Sequence, residues 1–353
     1  MHIMKVLLVN KYNFIKGGAD KYFLDLADLL AATPGIEVAK FCMTHASNLP
    51  DKHDTYFLSG FNFDHFRLKD FTKYLSRTFY SWEARRQFAA LLDEFQPDVI
   101  HIHNIYHHIS PSILIEAKLR KIPVVMHVHD YKLICPNYKL FHHGKIDESC
   151  RGGKYYRCVT LAPSHFVKHK LVEWGIANDK VQTLYHFVET KGIEPHCELG
   201  KYLLYFGRLD QEKGVNILIR ALAKTKSQVP LKIVGAGPER KHLEELVAEL
   251  NLTARVEFVG PKYGDELQTI IREAYLIVVP SIWYEVFGLV ILEAAALGKF
   301  VIASDIGGIR EAVESSRSAL LVPAGNAREL ATKLDWSLAN PKAVSDFAHE
   351  ARG

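Results

Sequence analysis

Short apolar segments alternate with helix-forming segments along the whole chain. Apolar runs of about four to eight residues, bounded by turn residues, are typical of buried strands in parallel sheets. Their alternation with helical segments predicts an α/β fold with helices on both faces of each sheet. The predicted strands are MKVLLVN, EVAKFCM, DVIHIHN, IPVVMHVHD, YLLYFGR, LKIVGAG, RVEFVG, YLIVVPS and FVIASD.

The two halves of the chain follow the same pattern and predict two doubly wound domains. With 353 residues, 48% of them hydrophobic, the chain can bury two cores of ordinary size. The join is predicted within residues 189–199, which gives an N-terminal domain of residues 1–188 and a C-terminal domain of residues 189–353. Doubly wound domains bind ligands at the carboxyl ends of their strands, and we expect these ends to face each other across a cleft. Helices are predicted after Gly17-Gly18, Pro111, Gly214, Pro238, Gly264, Gly288 and Gly307.

Two glutamates flank a strand-to-helix turn in the second half. The apolar run 274–280 predicts a strand, and residues 288–297 predict a helix. Glu285 then lies on the loop at the carboxyl end of the strand, and Glu293 lies inside the helix. Backbone N–H groups at the start of this helix form an anion site between the two carboxylates, which suits a ligand with a diphosphate and sugar hydroxyls. The alternative is a charged loop before an ordinary amphipathic helix. The N–H groups belong to Phe287, Gly288 and Leu289.

Two further loops at predicted strand ends have the features of phosphate sites. Gly17 and Gly18 follow the first strand and open a helix, where glycine lets a phosphate approach the backbone closely. Arg208 and Lys213 follow the YLLYF strand, and such a pair can hold a diphosphate because arginine binds as a fork and lysine as a point charge. The alternatives are a plain strand-to-helix turn and a solvated basic loop.

A third glycine-rich turn contains Gly235 and Gly237, directly after the LKIV strand. It resembles a dinucleotide fingerprint only in part, because Arg240 stands where that fingerprint needs glycine or alanine. The turn is also not the first strand-to-helix turn of the chain. We therefore expect a nucleoside to lie against this backbone and expect no nicotinamide or flavin.

Histidines follow two neighbouring predicted strands. His127 and His129 share one face of a strand because side chains alternate, and Asp130 begins the next loop. Polar groups at the carboxyl end of a parallel strand often contact ligand, but a histidine pair is structural about as often. The pattern recurs one strand away in His101, His103 and Asn104, with His107 and His108 just beyond.

Charge is distributed unevenly along the chain. Residues 1–187 contain 24 basic and 18 acidic side chains, whereas residues 188–353 contain 20 and 22. A modest basic excess without an arginine-rich arm suits an anionic acceptor or an acidic membrane surface better than nucleic acid. Residues 66–88 interleave basic and aromatic side chains. This pattern is typical either of a helix that packs its aromatics into the domain or of one that lies on an anionic membrane.

The apolar runs, the N-terminal segment and the cysteine content indicate the cellular compartment. No apolar run reaches about 18 residues, so no membrane span is predicted. The N-terminal run MHIMKVLLVN has no small-residue cleavage site and favours a strand over a signal peptide. Five cysteines in a chain of this length predict no disulfide scaffold, so we expect a cytoplasmic protein. Any peripheral membrane contact is expected at the inner face of the cell membrane. One cluster matches no standard zinc spacing; it contains Cys135, His142, His143, Cys150 and Cys158.

Taken together, these motifs resemble the retaining GT-B glycosyltransferases of family 4, and most of all the bacterial enzymes that build surface polysaccharides. The resemblance covers nearly the whole chain and implies two Rossmann-like domains. It departs from the family pattern at His186, where an asparagine is usual. The motifs are GG at 17–18, HD at 129–130, GR and EKG at 207–214, GAGP at 235–238 and E-x-FG-x4-E at 285–293.

The resemblance implies a role for each matched residue of the second half. Glu285 would hold the hydroxyls of the transferred sugar, with the backbone of residues 287–289 beside it. Glu293 would bind the ribose. Arg208 and Lys213 would neutralise the diphosphate leaving group.

The resemblance implies roles in the first half as well. Gly17 and Gly18 would touch the diphosphate or the acceptor. His129 would lie beside the sugar near the reacting carbon, and Asp130 would position it. The implied acceptor-side residues are His103 and Asn104.

The implied reaction transfers a sugar, with retention at the anomeric carbon, from a UDP- or GDP-type donor to a saccharide or polyprenyl-linked acceptor. No cofactor is expected. The sequence contains no Asp-x-Asp pair, so Arg208 and Lys213 are expected to take the place of a metal at the diphosphate. Two alternatives stay open: a GT-B epimerase or phosphorylase, and a catalytically silent protein that binds nucleotide-sugar. For the phosphorylase, no candidate lysine for a pyridoxal cofactor is found.

Overall fold

The structure is a computed structural model that describes residues 3–60, 80–106, 109–135, 139–142, 144–146, 148, 159–317 and 319–350. The chain divides into two compact units. The first unit consists of Met1–His129, Lys154–Pro163 and Gly175–Leu184, and the second of Asp130–Gly153, Ser164–Trp174 and Tyr185–Gly353.

Strands and helices alternate through the described residues, which confirms the predicted α/β class. The strands are β1 (Met4–Val9), β2 (Ile36–Phe41), β3 (Val99–Ile102), β4 (Val124–His127), β5 (Phe141–His142), β6 (Lys145–Ile146), β7 (Val159–Ala162), β8 (Val181–Thr183), β9 (Tyr202–Phe206), β10 (Leu231–Val234), β11 (Val256–Gly260), β12 (Ala274–Val279), β13 (Val301–Asp305) and β14 (Ala319–Pro323). The α-helices are α1 (Gly18–Ala31), α2 (Trp82–Phe95), α3 (Ile113–Leu119), α4 (His165–Glu173), α5 (Val215–Leu222), α6 (Arg240–Glu249), α7 (Gly264–Arg272), α8 (Leu289–Ala296), α9 (Ile309–Ser316), α10 (Ala327–Ala339) and α11 (Pro341–Glu350).

The first unit is built on a six-stranded parallel sheet in the order β2-β1-β3-β4-β7-β8. The strand order reverses between β1 and β3, which makes their carboxyl ends the topological switch point where doubly wound sheets bind ligands. The loops that begin at Asn10 and His103 leave the sheet at this point.

The second unit contains a six-stranded parallel sheet in the order β11-β10-β9-β12-β13-β14. This is the strand order of dinucleotide-binding folds, and its switch point lies between β9 and β12. The loops that follow these two strands contain Arg208, Lys213 and Glu285, so the topology brings the predicted donor residues to one edge of one sheet.

The strands of the second sheet are apolar on both faces, and one buried cluster covers each face. The strand β9 (YLLYF) is buried at every position. Leu203 and Tyr205 pack into one cluster with helices α5 and α6, and Leu204 and Phe206 pack into another with α8 and α9. A continuous apolar run, rather than an alternating one, is therefore the signature of this strand.

Side-chain caps fix where several helices begin. The Ser81 hydroxyl accepts the Ala84 N–H at the start of α2, and the Ser164 hydroxyl accepts the Val167 N–H at the start of α4. Such a cap is worth about 0.5–2 kcal/mol. No helix among the described residues is long and apolar enough to cross a membrane.

A buried lysine makes the stability of the second unit pH-dependent. Lys299 is 2% exposed, and its Nζ donates to the carbonyl of Glu198 at 2.7 Å. Burial lowers the pKa of Lys299 from 10.5 to about 8. Between these two pH values the unfolded state binds more protons than the folded state, so this residue's contribution to the free energy of unfolding rises with pH across that window.

We therefore expect wild-type protein to gain stability relative to Lys299→Met as the pH rises from 8 to 10. Below pH 8 the lysine is protonated in both states, and the difference should be constant. Urea midpoints at three pH values measure it, with the exposed Lys224→Met as control. Parallel curves for wild type and Lys299→Met would contradict the assignment.

Candidate active site

An ion pair joins the two loops at the switch point of the second sheet. Lys213 lies at the end of the short 3-10 helix Gln211–Lys213 after β9, and Glu285 lies in the loop after β12. The Lys213 Nζ and the Glu285 Oε1 are 2.6 Å apart, and the Ser281 hydroxyl donates to the same oxygen at 2.7 Å. Sequence reasoning placed both residues at the site but did not predict that they pair.

Glu285 is held as a buried carboxylate. Its exposed fraction is 7%. Burial by itself raises the pKa of Glu285, but the charge of Lys213 and the hydrogen bonds from Lys213 and Ser281 outweigh it and lower the pKa overall. The residue is therefore ionised at neutral pH and can accept hydrogen bonds.

The surroundings of Lys213 fix its position. Its Nζ lies 5.1 Å from the centre of the Trp283 ring, which is buried. The backbone N–H of Ile282 donates to the carbonyl of Glu212 at 3.0 Å and ties the two loops together. An ammonium group has three donors, so contact with one carboxylate leaves Lys213 able to bind a second anion.

Arg208 is more open than Lys213. Its side chain is 57% exposed and forms an ion pair with Asp210, and its Nη2 lies 3.7 Å from a Glu212 oxygen. The Tyr205 hydroxyl donates to the Arg208 carbonyl at 2.6 Å and anchors the backbone of the loop. The guanidinium can therefore reach an incoming anion while its backbone stays in place.

The turn before α8 places a glycine at the helix start, where the sequence predicts an anion site. Gly288 has φ +105°, a conformation that favours glycine, and caps a helix that begins at Leu289. The Phe287 side chain is 1% exposed and packs in the core, so only the backbone of residue 287 can contact a ligand. Glu293 lies in the second turn of α8 and is half-buried.

Glycines pack the adjacent strand-end loops against each other. Gly235 and Gly237 lie between β10 and α6, and a Cβ at either position would overlap the backbone of Gly207 or Leu209. The Gly207 N–H donates to Val234, at the end of β10, at 3.0 Å. The structure therefore requires glycine here for close packing of backbone on backbone.

Gly17, Gly18, His103 and Asn104 follow β1 and β3, at the switch point of the first sheet, whereas His129 follows the neighbouring strand β4. Gly17 caps α1 and Gly18 is its first residue. The Asn104 N–H donates to the Asn10 Oδ1 at 3.3 Å, and the Asn10 amide donates to the buried Asp20 at 3.0 Å. These contacts hold the loops after β1 and β3 together.

His103 and His129 are hydrogen-bonded to each other, with His103 Nδ1 2.8 Å from His129 Nε2. The ring of His103 is 1% exposed. Asp130, the next residue, accepts the Lys132 N–H at 2.8 Å, and burial raises the pKa of Asp130 to about 6. Burial also lowers the pKa of His101 to about 4, so that ring is neutral at neutral pH.

Solved structures with the same architecture cover almost the whole chain. Sucrose-phosphate synthase from Thermosynechococcus elongatus superposes with a TM-score of 0.75 at 23% identity, and covers 99% of this chain and 93% of that one. Anabaena HepE in complex with UDP-glucose superposes with a TM-score of 0.74 at 19% identity over the same fractions. These likenesses show a two-domain GT-B fold.

Family models match both halves of the sequence. The model for Glycosyltransferase Family 4 matches residues 16–191, and the model for Glycosyl transferases group 1 matches residues 189–353. The chain belongs to the GT-B glycosyltransferases. An uncharacterized glycosyltransferase of Methanocaldococcus jannaschii is 28% identical over 267 residues, which are 69% of this chain and 66% of that protein. The chain spans less than two thirds of the length of the curated relatives that it matches.

A further buried ion pair was not predicted from the sequence. The Lys139 Nζ lies 2.6 Å from the Glu212 Oε1, and Glu212 is 3% exposed. Lys139 precedes the antiparallel hairpin of β5 and β6, whose Gly144 lies against Gln211. The pair connects two segments that are far apart in sequence, and no motif at Lys139 indicates it.

Three other predictions fall wholly or partly outside the described residues. Of the cysteine and histidine cluster, Cys135 is buried and forms no disulfide with a described cysteine, whereas His143, Cys150 and Cys158 lie outside the described residues. His107 and His108 lie outside them too. Residues 66–79 of the basic and aromatic segment do as well, and its last part forms the start of α2.

Proposed function

We propose that this protein is a retaining glycosyltransferase that moves a sugar from a nucleoside-diphosphate sugar to a saccharide or lipid-linked saccharide in cell-surface polysaccharide synthesis. The observation that carries the proposal is the Lys213–Glu285 ion pair at the switch point of the second sheet. The UDP-glucose in the structure of Anabaena HepE, which has the same fold, supports a donor of this class.

Lys213 and Arg208 act on the leaving group in this proposal. Negative charge grows on the diphosphate as the bond to the sugar breaks, and fixed cations stabilise it where it forms. The Lys213 ammonium has further N–H donors besides the one that it uses for Glu285, and the Arg208 guanidinium is exposed to solvent. Two protein cations at this position support transfer without a metal at the diphosphate.

Glu285 acts on the sugar. Its carboxylate is ionised and turned toward the loop that contains Lys213, so it can accept hydrogen bonds from sugar hydroxyls. Glu293, in the second turn of α8, is proposed to accept hydrogen bonds from the hydroxyls of the ribose. Gly235 and Gly237 bring the backbone close enough for the nucleoside to lie on it.

Retention is proposed to result from attack on the face that the leaving group departs from. The acceptor oxygen bonds to the anomeric carbon as the carbon–oxygen bond to the diphosphate breaks, and the acceptor proton passes to a departing phosphate oxygen. This step needs no carboxylate nucleophile. The proposal includes the roles that the family resemblance implies for His129, Asp130, Gly17 and Gly18, and for His103 and Asn104 as acceptor residues.

The basic excess of the first half supports an anionic acceptor, such as a polyprenyl-linked saccharide at the inner face of the membrane. Trp82 on α2 is 71% exposed, and the Arg85 guanidinium lies 5.8 Å from its ring. An exposed tryptophan beside arginine is the combination that membrane interfaces favour.

Nucleotide binding tests the donor site directly. We expect one of UDP, GDP and ADP to raise the thermal midpoint, equally with Mg²⁺ and with EDTA. A nucleotide at 100 times its dissociation constant adds about 2.7 kcal/mol, which is several degrees. Lys213→Met should lose most of this shift, whereas the exposed Lys224→Met should keep it. A shift that requires Mg²⁺, or one that survives Lys213→Met, would contradict the proposed role of the lysine.

A further inference from the structure

Four histidines of the first unit form one imidazole cluster, defined as His101, His103, His127 and His129. The register of the sheet explains why they meet. His101 lies opposite Val125 in the β3–β4 pairing, so His103 falls opposite His127, and alternation places all four side chains on one face. The proposed function uses His103 and His129 singly, but it does not explain why four histidines are grouped.

The cluster is closely packed and largely removed from water. Ring centres of His101 and His103 are 4.5 Å apart, those of His103 and His127 are 5.6 Å apart, and those of His101 and His127 are 5.8 Å apart. His103 and His127 are each 1% exposed. Tyr22 and Phe23 of α1 cover the rings with their edges.

Three of these residues can place one ring nitrogen each around a common point. The candidate ligand atoms of His101, His103 and His127 all lie within 4.8 Å of one another. Tetrahedral zinc with bonds of about 2.0–2.1 Å sets ligand nitrogens about 3.3 Å apart. Rotation of the side chains by about 1.5 Å at the nitrogens is enough to close that difference.

One hydrogen bond of the cluster has the arrangement of a ligating histidine and its outer partner. The Nε2 of His101 is buried without a hydrogen-bond partner among the described residues. His103 Nδ1 lies 2.8 Å from His129 Nε2, so a metal would be bound by the opposite ring nitrogen of His103. Ligating histidines usually donate their second ring N–H to an acceptor nearby, and His129 Nε2 is placed to be that acceptor.

We propose that His101, His103 and His127 bind one divalent transition-metal ion of the zinc class. Neutral imidazoles with no carboxylate favour Zn²⁺, Co²⁺, Ni²⁺ or Cu²⁺ over Mg²⁺ and Ca²⁺. Three imidazoles leave a fourth position of a tetrahedral ion for water. The site lies in the first unit and is independent of the donor diphosphate site proposed above.

A bound ion would also fix the tautomer of His129. With Nε2 of His103 on the metal, the proton of His103 stays on Nδ1 and is donated to His129 Nε2. His129 is then neutral, with its own proton on Nδ1. The metal would thus act as a positioning element for a residue that the proposed function places beside the sugar, without touching substrate.

Cobalt binding to the full chain tests the site. We expect one Co²⁺ per chain, with visible d–d absorption that Zn²⁺ abolishes by displacement. His101→Phe keeps a ring in the stack but removes a ligand, and should weaken Co²⁺ binding at least about 100-fold, because even loss of an outer partner costs about 10–100-fold. The control is His45→Gln, an exposed histidine of the same unit, which should bind like wild type.

Equal Co²⁺ affinity in wild type and His101→Phe, or no binding by wild type, would overturn the proposal. If His101→Phe does not fold, ring nitrogen NMR signals of wild-type histidines decide the question. Substoichiometric Zn²⁺ should shift the signals of three buried histidines together, and unchanged signals would likewise overturn the site. Nucleotide shifts are measured separately, so failure here leaves the donor-site proposal standing.

Discussion

Replacing Glu285 by alanine should abolish sugar transfer and leave nucleotide affinity nearly unchanged. The carboxylate is buried and ionised, and it is bonded to Lys213 and Ser281 in the loop where the sugar of the donor is proposed to lie. Loss of one fixed group of this kind typically lowers kcat by about 10²–10³. The nucleotide is proposed to contact Lys213, Arg208, Glu293 and the glycine loops, and this change replaces none of them.

The measurement is donor turnover together with the nucleotide thermal shift. Glu285→Ala leaves Lys213 without its partner, so circular dichroism should first show that the variant folds. The matched control is Glu257→Ala on β11, an exposed glutamate of the same sheet, which should retain turnover. Transfer at the wild-type rate by Glu285→Ala would remove Glu285 from the mechanism. Lack of turnover by the wild type, combined with a normal nucleotide shift, would favour the catalytically silent alternative.

The strands could be predicted from the sequence because burial on both faces leaves a direct signature. The run YLLYF is continuously apolar and too short for a typical helix, which favours a strand covered on both sides, and LKIV and YLIVV have the same character. Strands with mixed burial were harder to find. Strand β8 has the pattern buried, exposed, half-buried over three residues, and it was not predicted.

The donor site could be located but its pairings could not. Glu285 and Lys213 were predicted at strand ends, and the strand order then determined that those ends are neighbours. Lys213 and Glu285 are 72 residues apart in the sequence, so which cation pairs with which carboxylate is decided by the positions of their side chains in the folded protein. The pairing of Arg208 with Asp210 was missed for a different reason, since neighbouring opposite charges in a loop do not by themselves predict contact.

The imidazole cluster shows the same limit in the first unit. Alternation along one strand was enough to predict that His127 and His129 share a face. Whether His101 and His103 lie on the same face depends on the register between β3 and β4. A shift of one residue would have placed them on the opposite face of the sheet. The sequence thus indicated two pairs of histidines, and only the structure joined them into one cluster.

Replacing Gly235 by alanine should strongly destabilise the second unit. Gly235 has φ +145°, and a Cβ there would lie 1.8 Å from the Gly207 carbonyl oxygen. The backbone conformation costs about 1–3 kcal/mol for any other residue. The overlap adds a similar cost of about 1–3 kcal/mol, since backbone cannot move aside like the end of a side chain.

Gly325→Ala separates these two contributions. Gly325 also has positive φ, +76°, but no atom lies within 4 Å of its ideal Cβ. Gly325→Ala should therefore lower the free energy of unfolding only by the backbone-conformation cost, about 1–2 kcal/mol. Urea midpoints of the two variants measure the difference. Equal losses would show that the loops after β9 and β10 separate readily.

The same pair of variants relates packing to function. Gly235→Ala forces apart the loops that hold Gly207 and Arg208, so it should also remove most of the nucleotide thermal shift. Gly325→Ala should keep that shift in full, because it lies after β14 at the far edge of the sheet. A normal nucleotide shift in a destabilised Gly235→Ala would mean that the donor binds away from this loop. In that case the close backbone contact at Gly235 would serve the fold alone.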